Sequence, residues 1–471
     1  MRRLLRSALV VGLLPLFALA QSPEYRFELG QKLRAFERAL EVATDADRRT
    51  PALKALEPVT FTFFSGQIGE AGRLLDESRF LLRTDPATDA ERWAASLKVE
   101  PAARLLDATA KAVEVTVSPF YKAKVAPPEK PAVRLTLLDA AGKATATGTT
   151  PLEGVPGKAK LALADATAGD FTLRAEIVAG DKVLSTVEQT VSRAEKLTER
   201  LAALAKATDA AKEKDRTTDR LTLARLGDQL DLLAKGNTLE TNYPAARLLK
   251  EAEECAAAVL AGKPYFGSKR PGEFWLVLGT KAGNRLRVQA PEAVKAGKPV
   301  PVVFALHGAG GSENMFFDGY GDGLVGRLAA ERGWLLVSPL VAGTPASAEV
   351  LDELNKLYPI DREKVFVLGH SMGAAATMAA VSREPKLFRA AAALGGGGQV
   401  KAGDDLKKVP VFVGIGERDF ALTGAKSLSA SLKKAEVVTV EYKEYKGVEH
   451  LTIVQLSLRD VFGFFDKALA K

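Results

Sequence analysis

The sequence predicts an α/β protein whose C-terminal part is built on a mostly parallel sheet, preceded by a helical region and a small β-sandwich. Three observations carry this reading. From about residue 263, short Val/Ile/Leu-rich runs alternate with helix-period segments, the pattern of strands covered on both faces. Between about 111 and 193 the period falls to two, as in half-buried strands separated by turns. On either side of that stretch, over 21–110 and 194–262, apolar residues recur at steps of three and four.

The chain opens on a segment of a different kind. Arg2, Arg3 and Arg6 precede an almost wholly apolar run, Ala8 to Ala18, and Ala18-Leu19-Ala20 has the small-x-small form of a cleavage site. This is the pattern of a secretory signal peptide over residues 1–20, too short to span a bilayer, and it predicts a periplasmic or secreted protein with no stable membrane anchor. Its removal takes away three arginines and no acids, lowering the formal charge from +8 to +5. The remaining excess is interspersed with acids and forms no basic block, so no nucleic-acid partner is expected. The single cysteine, Cys255, cannot close an internal disulfide, and its helical, alanine-rich setting reads as a small core residue.

Residues 21–110 read as mainly helical. Glu28 to Val42, Ala71 to Leu82 and Ala90 to Leu106 each carry Leu, Phe or Ala at helical spacing, while Val59-Thr60-Phe61-Thr62-Phe63-Phe64 is strand-like by composition. The sandwich strands are Val113–Val117, Ala132–Leu137, Phe171–Ile177 and Val183–Val191. Helical period returns over 194–262, in a region that could pack with 21–110 around the inserted strands. Nothing in 21–262 resembles paired metal ligands, a phosphate loop or an aromatic platform. In the last part, 263–471, the apolar runs are Phe274–Leu278, Val300–Leu306, Trp334–Val337, Val365–Leu368, Phe388–Leu394, Val409–Ile415 and Val437–Val440. Phe274–Leu278 and Arg285–Gln289 are placed to form an antiparallel hairpin at one edge.

The chemistry concentrates in this last part, and so do all three histidines. Gly369-His370-Ser371-Met372-Gly373 lies between the run Val365–Leu368 and the alanine-rich Ala374–Ala380. Strand, tight turn and helix are the context in which G-x-S-x-G exposes a nucleophilic serine, here Ser371. An oxyanion formed on attack needs two converging backbone N–H groups. One comes from the residue after the serine, Met372, and the other from a Gly-rich loop after an earlier strand. His307-Gly308-Ala309-Gly310-Gly311 follows Val302–Leu306, and Ala309 is the expected donor. A phosphate cradle is disfavoured, because no Lys-Ser/Thr follows and G-x-G-x-x-G spacing is absent. His370 adjoins the serine and should point away from it, and His307 braces the glycine loop. His450, in the loop after the last strand, remains as the general base. Two carboxylates follow the preceding strand, Glu417 and Asp419, and either could orient that histidine. Met315, Phe316 and Phe317, in the segment from Ser312 to Tyr320, either border an acyl pocket or pack beneath the loop.

Residues from about 270 to 471 resemble the α/β-hydrolases, and among them secreted bacterial esterases related to polyhydroxybutyrate depolymerases, feruloyl esterases and acetylxylan esterases. The resemblance rests on Leu306-His307-Gly308-Ala309-Gly310-Gly311, Arg332-Gly333-Trp334, Gly369-His370-Ser371-Met372-Gly373 and Gly447-Val448-Glu449-His450. It implies an eight-stranded sheet, hydrolysis of carboxylic esters in a small molecule or polymer, and no cofactor or metal. Its Gly-x-x-Asp pattern favours Asp419 as the acid, giving Ser371, Asp419 and His450 as the triad. A prolyl-oligopeptidase-type peptidase would use the same residue order. An exported binding or scaffold protein with a vestigial hydrolase domain is the reading from another class.

Overall fold

The computed structural model describes residues 22–163, 167–212, 215–340 and 347–470, so the segment 1–20, expected to be a signal peptide, lies outside the described residues. The chain divides into two compact units, Met1–Ala202 with Asp228–Lys250, and Ala203–Gly227 with Glu251–Lys471. The division thus falls within 194–262. Among the described residues no helix is long and apolar enough to cross a membrane.

The first unit begins with helices at Pro23–Val42, Ala46–Leu56, Val59–Phe64, Ile68–Leu81 and Asp89–Ala95. The last starts on a capping box, in which Thr88 Oγ accepts from the Glu91 N–H and the Glu91 carboxylate accepts from the Thr88 N–H. Val59–Phe64 is a helical turn despite its β-favouring composition. Its N–H groups find carbonyls one turn back, Thr62 on Pro58 and Ser65 on Phe61, and only Val59 is buried. Local hydrogen bonds decide where no neighbouring strand supplies a ladder.

The first helix buries Phe27, Leu33, Phe36 and Leu40, but Glu28, Lys32 and Glu37 are buried with them. Lys32 Nζ donates to Asp76 at 2.7 Å and to the Ala95 carbonyl at 2.6 Å, and Tyr121 donates to the same carboxylate at 3.0 Å. Burial pushes the Glu28 carboxyl up to about 7, against the pull of Lys32 and Arg104. Glu28, Lys32 and Asp76 border a polar cavity of about 450 Å³.

Eight strands follow: β1 (Leu97–Pro101), β2 (Leu105–Asp107), β3 (Ala112–Pro119), β4 (Pro131–Leu138), β5 (Ala144–Pro151), β6 (Gly157–Ala162), β7 (Gly169–Ala179) and β8 (Lys182–Ala194). They form a three-stranded sheet, β1-β3-β6, and a five-stranded sheet, β2-β8-β7-β4-β5. Alternate residues of both, Val113, Val115 and Val117 with Val133, Leu135, Leu137, Leu173 and Ile177, make one buried core. Strand structure starts at Leu97, earlier than the change of period near 111 and inside the expected helix Ala90 to Leu106; β1 and β2, five and three residues long, are too short to show a period of two.

The second unit is built on one eight-stranded sheet. Its strands are β9 (Gly272–Val277), β10 (Arg285–Ala290), β11 (Val300–Leu306), β12 (Leu335–Pro339), β13 (Ile360–His370), β14 (Ala390–Leu394), β15 (Val411–Gly416) and β16 (Val440–Tyr445), in the order β16-β15-β14-β13-β11-β12-β10-β9. The six from β16 to β12 are parallel, and the hairpin β9–β10 adds antiparallel at one edge, β10 pairing with β12. Strand β9 is capped from outside by a helix. Thr222 Oγ accepts from the Val277 N–H at 2.9 Å and Thr218 Oγ from the Gly279 N–H at 3.0 Å. The other edge strand, β16, begins where the apolar run Val437–Val440 ends and reads Val-Glu-Tyr-Lys-Glu-Tyr. An edge strand half in water needs charge rather than a continuous apolar run, so its pattern is polar.

Helices Leu324–Glu331 and Ile453–Leu469 share one core with the sheet. Trp334 stacks on Phe366 at 4.8 Å with planes 7° apart, and Phe462 lies on it at 5.6 Å. The ends of β11, β13 and β15, and the turn after β16, therefore lie together at the carboxyl end of the parallel sheet. This is where ligand sites of open α/β sheets form.

Candidate active site

Ser371 joins β13 to the helix Met372–Arg383 with φ 56° and ψ −115°. A non-glycine residue rarely holds positive φ, and such strain persists only where surroundings enforce it. Here they do. The Ser371 N–H donates to the Leu394 carbonyl at 2.8 Å, while Gly373 sits so close to β11 that a Cβ on it would lie 2.0 Å from the Leu306 carbonyl oxygen. A Cβ on Gly369 would lie 2.1 Å from the Gly373 oxygen. Both glycines of the elbow are required by backbone-to-backbone approach.

Ser371 Oγ is 2.9 Å from His450 Nε2. His450 Nδ1 is 2.9 and 3.0 Å from the two oxygens of Asp419. A carboxylate accepts only, so Nδ1 carries the proton and Nε2 is left to accept from the serine. His450 and Asp419 are buried, and Asp419 Oδ1 also accepts from the Ala421 N–H at 2.8 Å. Glu417, the other carboxylate, turns elsewhere and accepts from the Gly447 N–H at 2.8 Å, bracing the turn after β16. The neighbouring Glu449 is buried and accepts from the N–H groups of Leu451 and Thr452, at 2.8 and 2.7 Å. Its burial raises its pKa.

The glycine-rich loop reaches the same place. A Cβ on Gly308 would lie 3.2 Å from Ser371 Cβ, so Ala309 follows directly on a residue touching the serine, and it is exposed. Met372 is the first residue of its helix, so its N–H has no partner in the helix ladder. His307 braces this loop, its Nε2 being 2.8 Å from the Leu340 carbonyl oxygen. Among the described residues no group of three or more His, Cys, Asp or Glu is placed to hold a metal ion.

The aromatic segment does not border the serine as an open pocket. Phe316 is fully buried and Phe317 nearly so, packed into the main core. Arg287 lies over Phe317 and Trp275, at 4.5 and 4.4 Å, and donates to Asn314 and Asp318. These rings support the loop. Two apolar side chains are exposed here instead, one of them that of Met372, which the motif marked only for its N–H. Phe420, next to Asp419, sets its ring 4.3 Å from that of His450 and is 51% exposed, and Met372 is 47% exposed. Their only signal in the sequence is adjacency to the acid and to the serine.

A serine on a strained strand-to-helix elbow, at the carboxyl end of an eight-stranded and mostly parallel sheet, defines an α/β-hydrolase domain. Residues 347–405, which include the elbow, match the model of the prolyl oligopeptidase family. No curated protein matches the chain. Among solved structures it is similar to the Staphylococcus aureus fluorophosphonate-binding serine hydrolase F, at 16% identity over 42% of this chain and 99% of that one, with a TM-score of 0.35. A feruloyl esterase module from Clostridium thermocellum, complexed with sinapinate, has 14% identity over 43% and 92%, with a TM-score of 0.36. A thermostable esterase has 14% identity over 79% and 99%, with a TM-score of 0.37.

Proposed function

We propose that the protein is a serine hydrolase that cleaves carboxylic esters through an acyl-enzyme. The observation that supports this most is the unbroken chain of contacts Ser371 Oγ, His450 Nε2, His450 Nδ1, Asp419, each link at 2.9–3.0 Å. In this reading His450 takes the serine proton as Oγ attacks the ester carbonyl. Asp419 stabilises the imidazolium, and the N–H groups of Ala309 and Met372 receive the oxyanion. His450 then protonates the leaving alcohol. Water, deprotonated by His450, releases the acid and restores Ser371. No metal or cofactor enters these steps. Phe420 and Met372 offer an apolar surface beside the serine, which favours substrates with an apolar group flanking the scissile bond.

The match over residues 347–405 favours a second reading, a peptidase of the prolyl-oligopeptidase type. The same triad serves both, so substrate decides. The test is a panel of p-nitrophenyl, feruloyl, acetyl-sugar and hydroxyalkanoate esters beside prolyl and alanyl amides. Ester turnover with negligible amide turnover is expected, and rapid amide cleavage without ester preference would reassign the chain to the peptidases. A fluorophosphonate probe should label the wild type and not Ser371→Ala; equal labelling of the two would remove Ser371 from the mechanism. We further propose that the protein is exported, on the pattern of residues 1–20. Recovery of a mature chain starting near Gln21 outside the cytoplasm would test that.

A further inference from the structure

The triad leaves two buried histidines unused, His307 under the glycine loop and His370 beside the serine. His370 is nearly inaccessible and sits between two partners that differ in kind: Nδ1 is 2.7 Å from the Tyr320 hydroxyl, and Nε2 is 2.8 Å from the carbonyl oxygen of His450. A carbonyl can only accept, so Nε2 carries the proton, and Nδ1 is left to accept from Tyr320. The tautomer is fixed by its neighbours. Room for the ring is also built in. Cβ atoms on Gly395 and Gly308 would come within 2.9 and 3.1 Å of it, and Gly395 takes φ +57°. Tyr320 is buried in turn, edge-on to Phe316 at 4.9 Å. The aromatic segment thus carries the hydroxyl that donates to the unprotonated Nδ1 of His370.

We propose that His370 is a positioning residue for His450, gripping the backbone carbonyl of the base while Asp419 grips its ring. The proposal rests on the reading of Ser371 and His450 as nucleophile and base. His450 lies in the irregular turn between β16 and the helix Ile453–Leu469, where no ladder fixes its backbone. Two tethers remove that freedom, one at the ring and one at the carbonyl. The second comes from the residue bonded to the nucleophile, so the peptide that strains Ser371 also carries the group that places the base. Nucleophile and base are held in register by consecutive residues. Burial, and then the nearby His450 ring, push the pKa of His370 well below its ordinary value, which keeps the ring neutral beside an imidazole that must become charged.

The experiment uses the full chain with p-nitrophenyl acetate. His370→Leu removes the donor, and a misplaced base should lower kcat by roughly 30- to 100-fold with KM changed less than about threefold. His370→Gln, whose side-chain amide can still donate at the position of Nε2, should recover to within about fivefold of wild type. Tyr320→Phe strips Nδ1 of its donor and loosens the ring, and should cost roughly three- to tenfold in kcat. The far-downfield proton resonance of His450 Nδ1–H should be sharp in the wild type and in His370→Gln, and broadened or lost in His370→Leu. Wild-type kcat and an intact resonance in a folded His370→Leu would overturn the proposal. So would a folded His370→Gln as impaired as the leucine variant. If His370→Leu does not fold, the glutamine and phenylalanine variants decide. If the wild type neither hydrolyses esters nor takes a fluorophosphonate, the esterase reading has failed, and the resonance still tests the tether.

Discussion

Replacing Asp419 with Asn isolates the electrostatic part of the proposed mechanism, because shape and volume are kept. The carboxylate oxygens lie 2.9 and 3.0 Å from His450 Nδ1, and the imidazolium charge that develops is spread over a ring slightly further away. At about 4 Å and an effective dielectric near 20, the attraction of unit charges is ~4 kcal/mol. At 1.36 kcal/mol per decade, its loss lowers kcat by roughly 10³-fold. A second cost adds to the first. An amide can present its NH₂ to Nδ1, which moves the ring proton to Nε2, where it blocks transfer from Ser371, so the total should fall between about 10³- and 10⁴-fold. Glu417→Gln is the control. Its carbonyl oxygen can still accept from the Gly447 N–H, so activity should stay within about threefold. The assay is steady-state hydrolysis of p-nitrophenyl acetate together with the rate of fluorophosphonate labelling. Asp419→Asn within tenfold of wild type, or a thousandfold loss in Glu417→Gln, would refute the assignment of the acid.

Further outcomes follow from packing and burial. Trp334→Ala opens a cavity between Phe366 and Phe462 and should cost about 3–5 kcal/mol in denaturant unfolding of the second unit; a loss under 1 kcal/mol would contradict the stacked core. Gly373→Ala drives a methyl into the carbonyls of Leu306, the last residue of β11, and of His307 just after it, where backbone cannot yield, and should leave little soluble, labelled protein. Active, soluble Gly373→Ala would show that the elbow is not pinned to β11. Glu28 sits at about 7 when folded against 4.5 ordinarily, so the native state binds the extra proton between those values. Its contribution is therefore present below about pH 4.5 and lost as pH rises through 7, a swing of about 3 kcal/mol. Glu28→Gln should flatten the stability of the first unit between pH 5 and 8, and an unchanged pH slope would count against a buried, unpaired carboxyl.

The parts of the site that announce themselves in the sequence are those whose signal is local. Ser371 is bracketed by two glycines, Ala309 lies in a glycine run after an apolar run, and Asp419 and His450 each follow strands at spacings that leave room for one crossover. Contacts made across the fold left no such mark. The Tyr320 hydroxyl reaches His370 over 50 residues and His370 reaches the His450 carbonyl over 80, so neither could be read as a motif. Phe316 and Phe317 showed only that they are aromatic; that Phe316 meets Tyr320 and Phe317 lies under Arg287 depends on packing. The first helix was misleading in the same way. Its charged residues look like a solvated face, yet Lys32 is buried because Asp76, 44 residues on, supplies a partner. Strand β16 hid its period because an edge strand is half in water, and Val59–Phe64 hid its helix because composition outweighed its local bonds.

The close seating of Gly373 against the Leu306 carbonyl has a kinetic meaning. The strained turn at Ser371 gains nothing on its own and is enforced only once β11 and β13 have paired and the following helix has docked. The proposed acid and base, Asp419 and His450, come later still in the chain. On the proposed mechanism, folding intermediates that hold only part of the sheet carry an ordinary serine hydroxyl and should neither attack esters nor trap phosphonates. On refolding, covalent labelling of Ser371 should appear after the recovery of helix and sheet signals, so that reactivity reports the last step of assembly rather than the first.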